Sequence, residues 1–194
     1  MKKIRSSLLN RAELIKKNIE KMEESILEIS SLISLAILED KKLMFCGNGG
    51  SAAECQHMSA EYCATLDHHR PRKGMASISL TTDTSFLSAW TNDFGYKEVF
   101  SRQVETLGKK GDVLLCYSTS GNSENVCEAA KIAKKKGISV LGFTGNHPHT
   151  KLEELCDKIF KSPSTETPII QEIHTIAGHE ICMEVERNIF FRKK

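Results

Sequence analysis

Over the first forty residues, apolar side chains recur at Ile4, Leu8, Ala12, Ile15, Ile19, Met22, Ile26, Ile29, Ile33 and Ala36. Their alternating steps of three and four are the period of one helix face. No Gly or Pro interrupts the stripe, so the pattern predicts one long helix over 1–40. Its apolar face is longer than a small domain readily covers, which points to packing on a partner chain. For its first half, a position along its own sheet fits equally well.

Beyond residue 40 the texture changes to short apolar runs, each followed by a polar turn and a helical pattern. The runs 42–46 (KLMFC), 76–80 (ASISL), 113–117 (VLLCY), 138–143 (ISVLGF) and 158–160 (KIF) are the strand candidates. Helical segments are expected near 51–65, 84–90, 96–107, 123–136 and 149–155, with a last helix from about Pro168 to Arg192. That last helix opens on a proline and closes on basic residues, as helices favour. The first, third and fourth runs are almost continuously apolar, as strands covered on both faces should be. Strand, turn and helix in this succession predict a doubly wound, five-stranded parallel α/β sheet flanked by helices. With 194 residues and no repeat or linker, residues 1–194 are expected to form one domain.

Composition narrows the function classes. Hydrophobic residues make up 40% and charged residues 27% of the chain, and the net charge is only +2 with the basic residues dispersed. A nucleic-acid partner needs a concentrated basic face, so none is expected. No stretch approaches a membrane span, and the N-terminus lacks the apolar core of a signal peptide. Seven scattered cysteines without a C-x-x-C pair suit a reducing compartment. A cytoplasmic location is the expectation.

In a parallel sheet of this kind, ligands bind where strands end and helices begin. Two of those turns carry unusual residues. Gly47-Asn48-Gly49-Gly50-Ser51 follows the first strand, and Ser118-Thr119-Ser120-Gly121-Asn122-Ser123 follows the third. Glycines admit close backbone approach, and the next helix begins with unpaired N–H groups and a partial positive charge. Four hydroxyls within six residues add further donors, which favours a phosphate monoester at 118–123. Neither turn matches the Walker A or dinucleotide-binding patterns.

His57 and Glu61 lie four residues apart on the helix after the first turn, hence on one face. The final helix adds Gln171, Glu172, His174, His179 and Glu180. A His and a carboxylate beside a phosphate-bearing sugar supply the parts of enediol chemistry, moving a carbon-bound proton and a hydroxyl proton. The same groups can ligate a divalent metal. His68-His69 and His147/His149 fall in polar loops and receive no role.

G-N-G-G-S-A, then Q-H-x-x-x-E, T-N-D-F-G, S-T-S-G-N-S and I-Q-E-I-H with a later His, in that order, resemble the SIS (sugar isomerase) fold. Within it the chain resembles the D-sedoheptulose 7-phosphate isomerases, or phosphoheptose isomerases, nearly end to end. The resemblance implies conversion of sedoheptulose 7-phosphate to D-glycero-D-manno-heptose 7-phosphate for bacterial surface heptoses. It also implies a homotetramer with shared sites, and one Zn2+ per subunit. By the same resemblance Ser118, Thr119, Ser120 and Ser123 hold the phosphate. Asn48, Gly49, Gly50 and Ser51 line the sugar with Asn92, Asp93, Glu61 and Gln171. Glu61 and His179 are the implied acid–base pair, and His57, Glu61, Gln171 and His179 the implied metal ligands.

One spacing sits awkwardly with that ligand set. Gln171 and His179 are eight residues apart, about 12 Å of rise on a straight helix, whereas metal bonds are about 2 Å long. Stretched side chains, an irregular helix, or a His179 from a second subunit would reconcile them, and the last is the favoured expectation. Thr65 stands where the family carries an arginine, which leaves the sugar's identity open and draws interest to the basic loop 67–73. Two rival readings are a non-catalytic SIS protein binding the replication initiator and a sugar-phosphate-sensing regulatory domain. Glu61 and His179, which neither rival needs, weigh against both.

Overall fold

A computed structural model describes residues 2–191. The predicted first helix is two: α1 (Lys2–Lys17) and α2 (Ile19–Leu38). The break falls at Asn18, whose φ of −115° leaves the helical region and whose side-chain Nδ2 donates to Leu14 O at 2.8 Å. An Asn side chain competes in this way for its own turn's carbonyls. α2 enters the core through Met22, Ile29, Ile33 and Ala36, and the end of α1 packs against it through Leu14 and Ile15, while Ile4, Leu8 and Leu9 of α1 stay exposed.

There follow β1 (Leu43–Gly47), α3 (Gly50–Cys63), β2 (Ser77–Ser79), α4 (Thr84–Phe94), α5 (Val99–Leu107) and β3 (Val113–Tyr117). The chain continues with α6 (Glu124–Lys135), β4 (Ser139–Thr144), α7 (Lys151–Leu155), β5 (Lys158–Lys161) and α8 (Thr167–Glu186). A π-helical turn, Arg187–Phe191, follows α8, so the regular helix stops short of the expected end; Met1 and Arg192 lie outside the described residues. The five strands sit where the apolar runs predicted, all parallel, in the order β2-β1-β3-β4-β5. The doubly wound α/β fold is therefore present.

Alternate residues of the central strands feed opposite layers, as the pleat requires. Leu43, Phe45, Val113, Leu115 and Tyr117 pack with α2, α3 and α8. Met44, Cys46, Leu114 and Cys116 pack with α5 and α6. All seven cysteines are free thiols. In this strand order the direction of winding reverses between β1 and β3, the switch point where ligands sit. Register pairs Gly47 with Tyr117, so the turns 48–51 and 118–123 leave the sheet side by side.

Candidate active site

The turn after β3 is built to a fixed shape. Ser118, buried, lies 2.9 Å from Ser123 through their Oγ atoms and accepts from Ser123 N at 3.3 Å. Ser120 Oγ accepts from Asn122 N at 3.2 Å. Gly121 has φ +66°, and a Cβ there would stand 2.5 Å from Thr150 Cβ, so only glycine fits. Its carbonyl accepts from Leu152 N at 3.0 Å, and Asn122 Oδ1 accepts from Lys151 N at 3.1 Å. The start of α7 thus braces the turn from behind. Ser123 is the N-cap of α6, whose unpaired N–H groups face an approaching anion. The acidic Glu124 beside it is paired with Lys97 at 2.8 Å, and that pair holds its carboxyl below the usual range.

The turn after β1 uses its glycines differently. Gly49, at φ +54°, is the N-cap of α3. A Cβ on Gly50 would stand 2.5 Å from Gln171 Nε2, so glycine here lets α8 close on the turn. Ser51 is buried at the start of α3. Together Gly50, Ser51, Glu54, Gln171, His174 and Thr175 line a cavity of about 320 Å³ between α3 and α8.

At the far end of that helix pair, His57, Glu61 and His179 converge. One ligand atom from each lies within 4.8 Å of the others. His57 Nε2 is 2.8 Å from His179 Nε2, and His57 Nδ1 is 3.7 Å from Glu61 Oε1. Two ring nitrogens at that distance share one N–H, the tautomer setting which of them donates. Two imidazoles and a carboxylate are a donor set that a zinc-like ion accepts, with room for a further ligand. The three residues therefore fit a divalent metal.

His179 stands with His57 and Glu61 of its own chain, and Gln171 is the member of the implied ligand set that one chain places elsewhere, at Gly50. The reason is the crossing of two regular helices: α8 runs unbroken over Thr167–Glu186 and brings His179 against the second turn-face of α3. Gln171, two turns earlier, meets Gly50 instead.

Glu54, which sequence reasoning passed over, lies between these parts. Its Oε2 accepts from Thr175 Oγ1 at 2.7 Å and its Oε1 is buried without a partner. Burial raises its pKa, and both His57 and His179 are near enough to pull it back. Its position one turn before His57 is the only sequence signal that could have flagged it. His174 proves to be a core residue. Its Nε2 donates to Thr144 O at 3.1 Å among Tyr117, Phe143 and Phe160, and desolvation lowers its pKa to about 4.

Asn92 and Asp93 sit on the exposed end of α4, where Asn92 Nδ2 donates to Asp93 Oδ1 at 2.8 Å. Thr65 Oγ1 bonds only its own loop, at Asp67 O. Arg72 does not substitute for an arginine at 65. Its guanidinium is 1% exposed, pairs with Glu186 at 2.8 Å and donates to the carbonyls of Glu61, Tyr62 and Ala64. The loop 67–73 is thereby tied to the ends of α3 and α8. Arg70 pairs with Asp67 and stacks on Phe191.

With this geometry in view, comparison with known proteins is direct. The SIS domain family model matches residues 9–145. A phosphoheptose isomerase of Burkholderia pseudomallei is 44% identical over 171 residues, covering 88% of this chain and 85% of that protein. One of Aliarcobacter butzleri is 45% identical, covering 91% and 92%. The solved phosphoheptose isomerase of Neisseria gonorrhoeae superposes with a TM-score of 0.87 at 34% identity, over 95% of this chain and 97% of that one.

Proposed function

Because the chain belongs to the phosphoheptose isomerases of the SIS domain family, we propose that it converts D-sedoheptulose 7-phosphate to D-glycero-D-manno-heptose 7-phosphate. The observations that support this reading are the convergence of Glu61 and His179 between α3 and α8 and the hydroxyl-rich turn 118–123 at the carboxyl edge of the sheet. The chain is a sugar-phosphate isomerase, and heptose synthesis is the process it serves.

The phosphate lies on Ser118, Thr119, Ser120 and Ser123 at the start of α6. The sugar runs toward α3 past the backbone of Asn48, Gly49 and Gly50, with Ser51 and Gln171 alongside. Asn92 and Asp93 belong to the same rim; Tyr96, just after them in the chain, bonds Asn48, which supports that assignment. Glu61 removes the proton from C1 of the ketose while His179 protonates the carbonyl oxygen at C2, giving an enediol. His179 then takes the proton from the oxygen on C1, and Glu61 returns its proton to C2, giving the aldose. No atom is gained or lost. His57, Glu61 and His179 would hold one Zn2+ per subunit, with Gln171 a further candidate. Such an ion supplies Lewis-acid polarisation of a carbonyl oxygen.

The wider setting is part of the same proposal. Residues 1–194 act as one unit in a homotetramer, α1 and α2 serving its packing; their exposed Ile4, Leu8, Ile19 and Leu27 support this. The enzyme is cytoplasmic, in keeping with its free thiols, and no described helix is long and apolar enough to cross a membrane.

The test is product formation from sedoheptulose 7-phosphate, followed by NMR, with zinc, with chelator and with Glu61→Gln. Wild type should convert the ketose, and Glu61→Gln should lose turnover while substrate still raises its melting temperature. A folded wild type that forms no aldose, or an equally active Glu61→Gln, would overturn the reading. The chelator arm decides whether metal is required.

A further inference from the structure

The carboxyl of Glu54 has no counter-charge. Its Oε2 accepts from the neutral Thr175 Oγ1 at 2.7 Å, and its Oε1 is buried with no partner. Among the described residues no Lys, Arg or His forms an ion pair with it. The unpartnered oxygen lies over Gly178, where a Cβ would stand 3.3 Å from it and 2.5 Å from Met58 Sδ. The bare backbone at 178 thus gives the carboxyl its place between α3 and α8, next to His179. Glu54 and His57 are three residues apart on α3, and Thr175 and His179 four apart on α8, so each pair shares a face one turn apart. The Glu54–Thr175 bond is therefore the rung before the 2.8 Å His57–His179 contact, about 5 Å along the helices. His57 and His179 are also the ionisable side chains whose positive form this carboxyl feels.

Buried charges are paired or sit beside metal ions, because burial removes the solvation that water supplied and something must replace it. The set His57, Glu61 and His179 has the complementary deficit. Two neutral imidazoles and one carboxylate leave a divalent ion with one positive charge uncompensated. We propose that Glu54 is the outer counter-charge of this metal centre, balancing the ion from one helical turn away without ligating it. This rests on the metal site proposed above. A place outside the ligand shell follows from the geometry. Ligand atoms of His57, Glu61 and His179 lie within 4.8 Å of one another without Glu54, and its Oε2 is committed to Thr175. A fixed charge in surroundings of low dielectric acts strongly on an ion at this range, and groups behind a ligand shell change metal affinity by about 10–100-fold.

The experiment titrates Zn2+ into the full chain, stripped of metal, against a chromophoric chelator. Wild type, Glu54→Gln, Glu54→Ala and Thr175→Val are compared, with Co2+ spectra and melting temperatures alongside. Glu54→Gln keeps the shape and an acceptor for Thr175 but removes the charge. It should weaken Zn2+ binding by about 10–100-fold, leave the visible bands of bound Co2+ in place, and melt no lower than wild type without metal. Glu54→Ala should weaken Zn2+ likewise, and it answers the question if Glu54→Gln does not fold. Thr175→Val breaks the same rung yet keeps the charge, so its Zn2+ affinity should stay close to that of wild type. A loss in Thr175→Val equal to that in Glu54→Gln would mean that the rung only sets the helix spacing, and would overturn the proposal. Shifted Co2+ bands in Glu54→Gln would make Glu54 a ligand and overturn it as well. If wild type binds neither ion, the metal site itself falls; if it binds Zn2+ no tighter than Glu54→Gln does, only the counter-charge falls.

Discussion

At the scale of single residues, the site depends on positions that admit one side chain. Gly121 combines φ +66° with a neighbour, Thr150, that is fully buried. Gly121→Ala adds left-handed strain of about 1–2 kcal/mol and an overlap of about 1–3 kcal/mol. Urea titration should show a loss of about 2–5 kcal/mol, with KM raised more than kcat is lowered. A variant with unchanged midpoint would mean the turn has slack. His174 gives a pH signature. Its folded pKa is lowered to about 4 from about 6.5 in an unfolded chain. A depressed His pKa contributes stability that is present above pH 6.5 and lost as pH falls through 4, about 3 kcal/mol in all. His174→Gln keeps a donor for Thr144 O and removes the titration. Stability measured from pH 7 to 4 should therefore fall about 3 kcal/mol less in the variant than in wild type; parallel curves would exclude His174 as the cause. The two turns and the His57–Glu61 pair were legible in the sequence because each is local: a run of glycines and hydroxyls, or a helical spacing. Tyr96 and Glu54 were not, since their partners lie 48 or more residues away and no local pattern records such a pairing.

Elements were read well where burial dictates a pattern and less well where a side chain intervenes. All five strands stand at their apolar runs, but β2 keeps only three residues, because an edge strand with one exposed position has less apolar pattern to hold it. Asn18 splits a stripe that is continuous in hydrophobicity, since periodicity is blind to a side chain bonding its own turn. The loop 67–73 was read as a basic segment of unknown use, and the structure makes it a fastener. Arg72 ends α3 by taking the carbonyls of Glu61, Tyr62, Ala64 and Lys73, and joins that end to Glu186 of α8. Both side chains of the ion pair are buried, at 1% and 4% exposure. Removing Arg72 leaves the buried Glu186 carboxylate without its counter-charge, holding only Leu66 N–H, and takes a donor from four carbonyls; removing the charge of Glu186 leaves Arg72 its carbonyls. Arg72→Met should cost about 3–5 kcal/mol, Glu186→Gln clearly less, and the double variant less than their sum. Chemical denaturation of the four proteins tests this. Equal single losses that add would show that the two residues act separately.

At the scale of the whole molecule, the two layers over the sheet are unequal in how they end. The α5–α6 layer finishes in charged side chains such as Arg102, Glu105, Glu128 and Lys131, paired with one another. The α2–α8 layer finishes in a largely apolar groove of about 480 Å³ lined by Ile15, Ile19, Met22, Ile26, Leu27 and Ile176 together with Glu23, Glu180, Glu184 and Arg187. Ile19 is 53% exposed, Leu27 47% and Ile176 40%, and the exposed Ile4 and Leu8 continue the strip along α1. A monomer gains nothing from these groups in water, whereas each large apolar side chain fully buried is worth about 1.5–3 kcal/mol. A second copy offering the same strip is the partner that the proposed homotetramer supplies, and its symmetry doubles every contact. Ile19→Asp and Leu27→Asp place a carboxylate where the copy would close, without touching the core of one chain. Burying an unpaired carboxylate is costly enough to forbid closure. Sedimentation of the double variant at about 10 µM protein should then give a smaller species than wild type, with unchanged helical circular dichroism. Glu61 and His179 belong to one chain, so whatever activity survives dissociation measures how much of the site a single subunit completes. An unchanged mass would move the interface elsewhere and leave this groove without a partner.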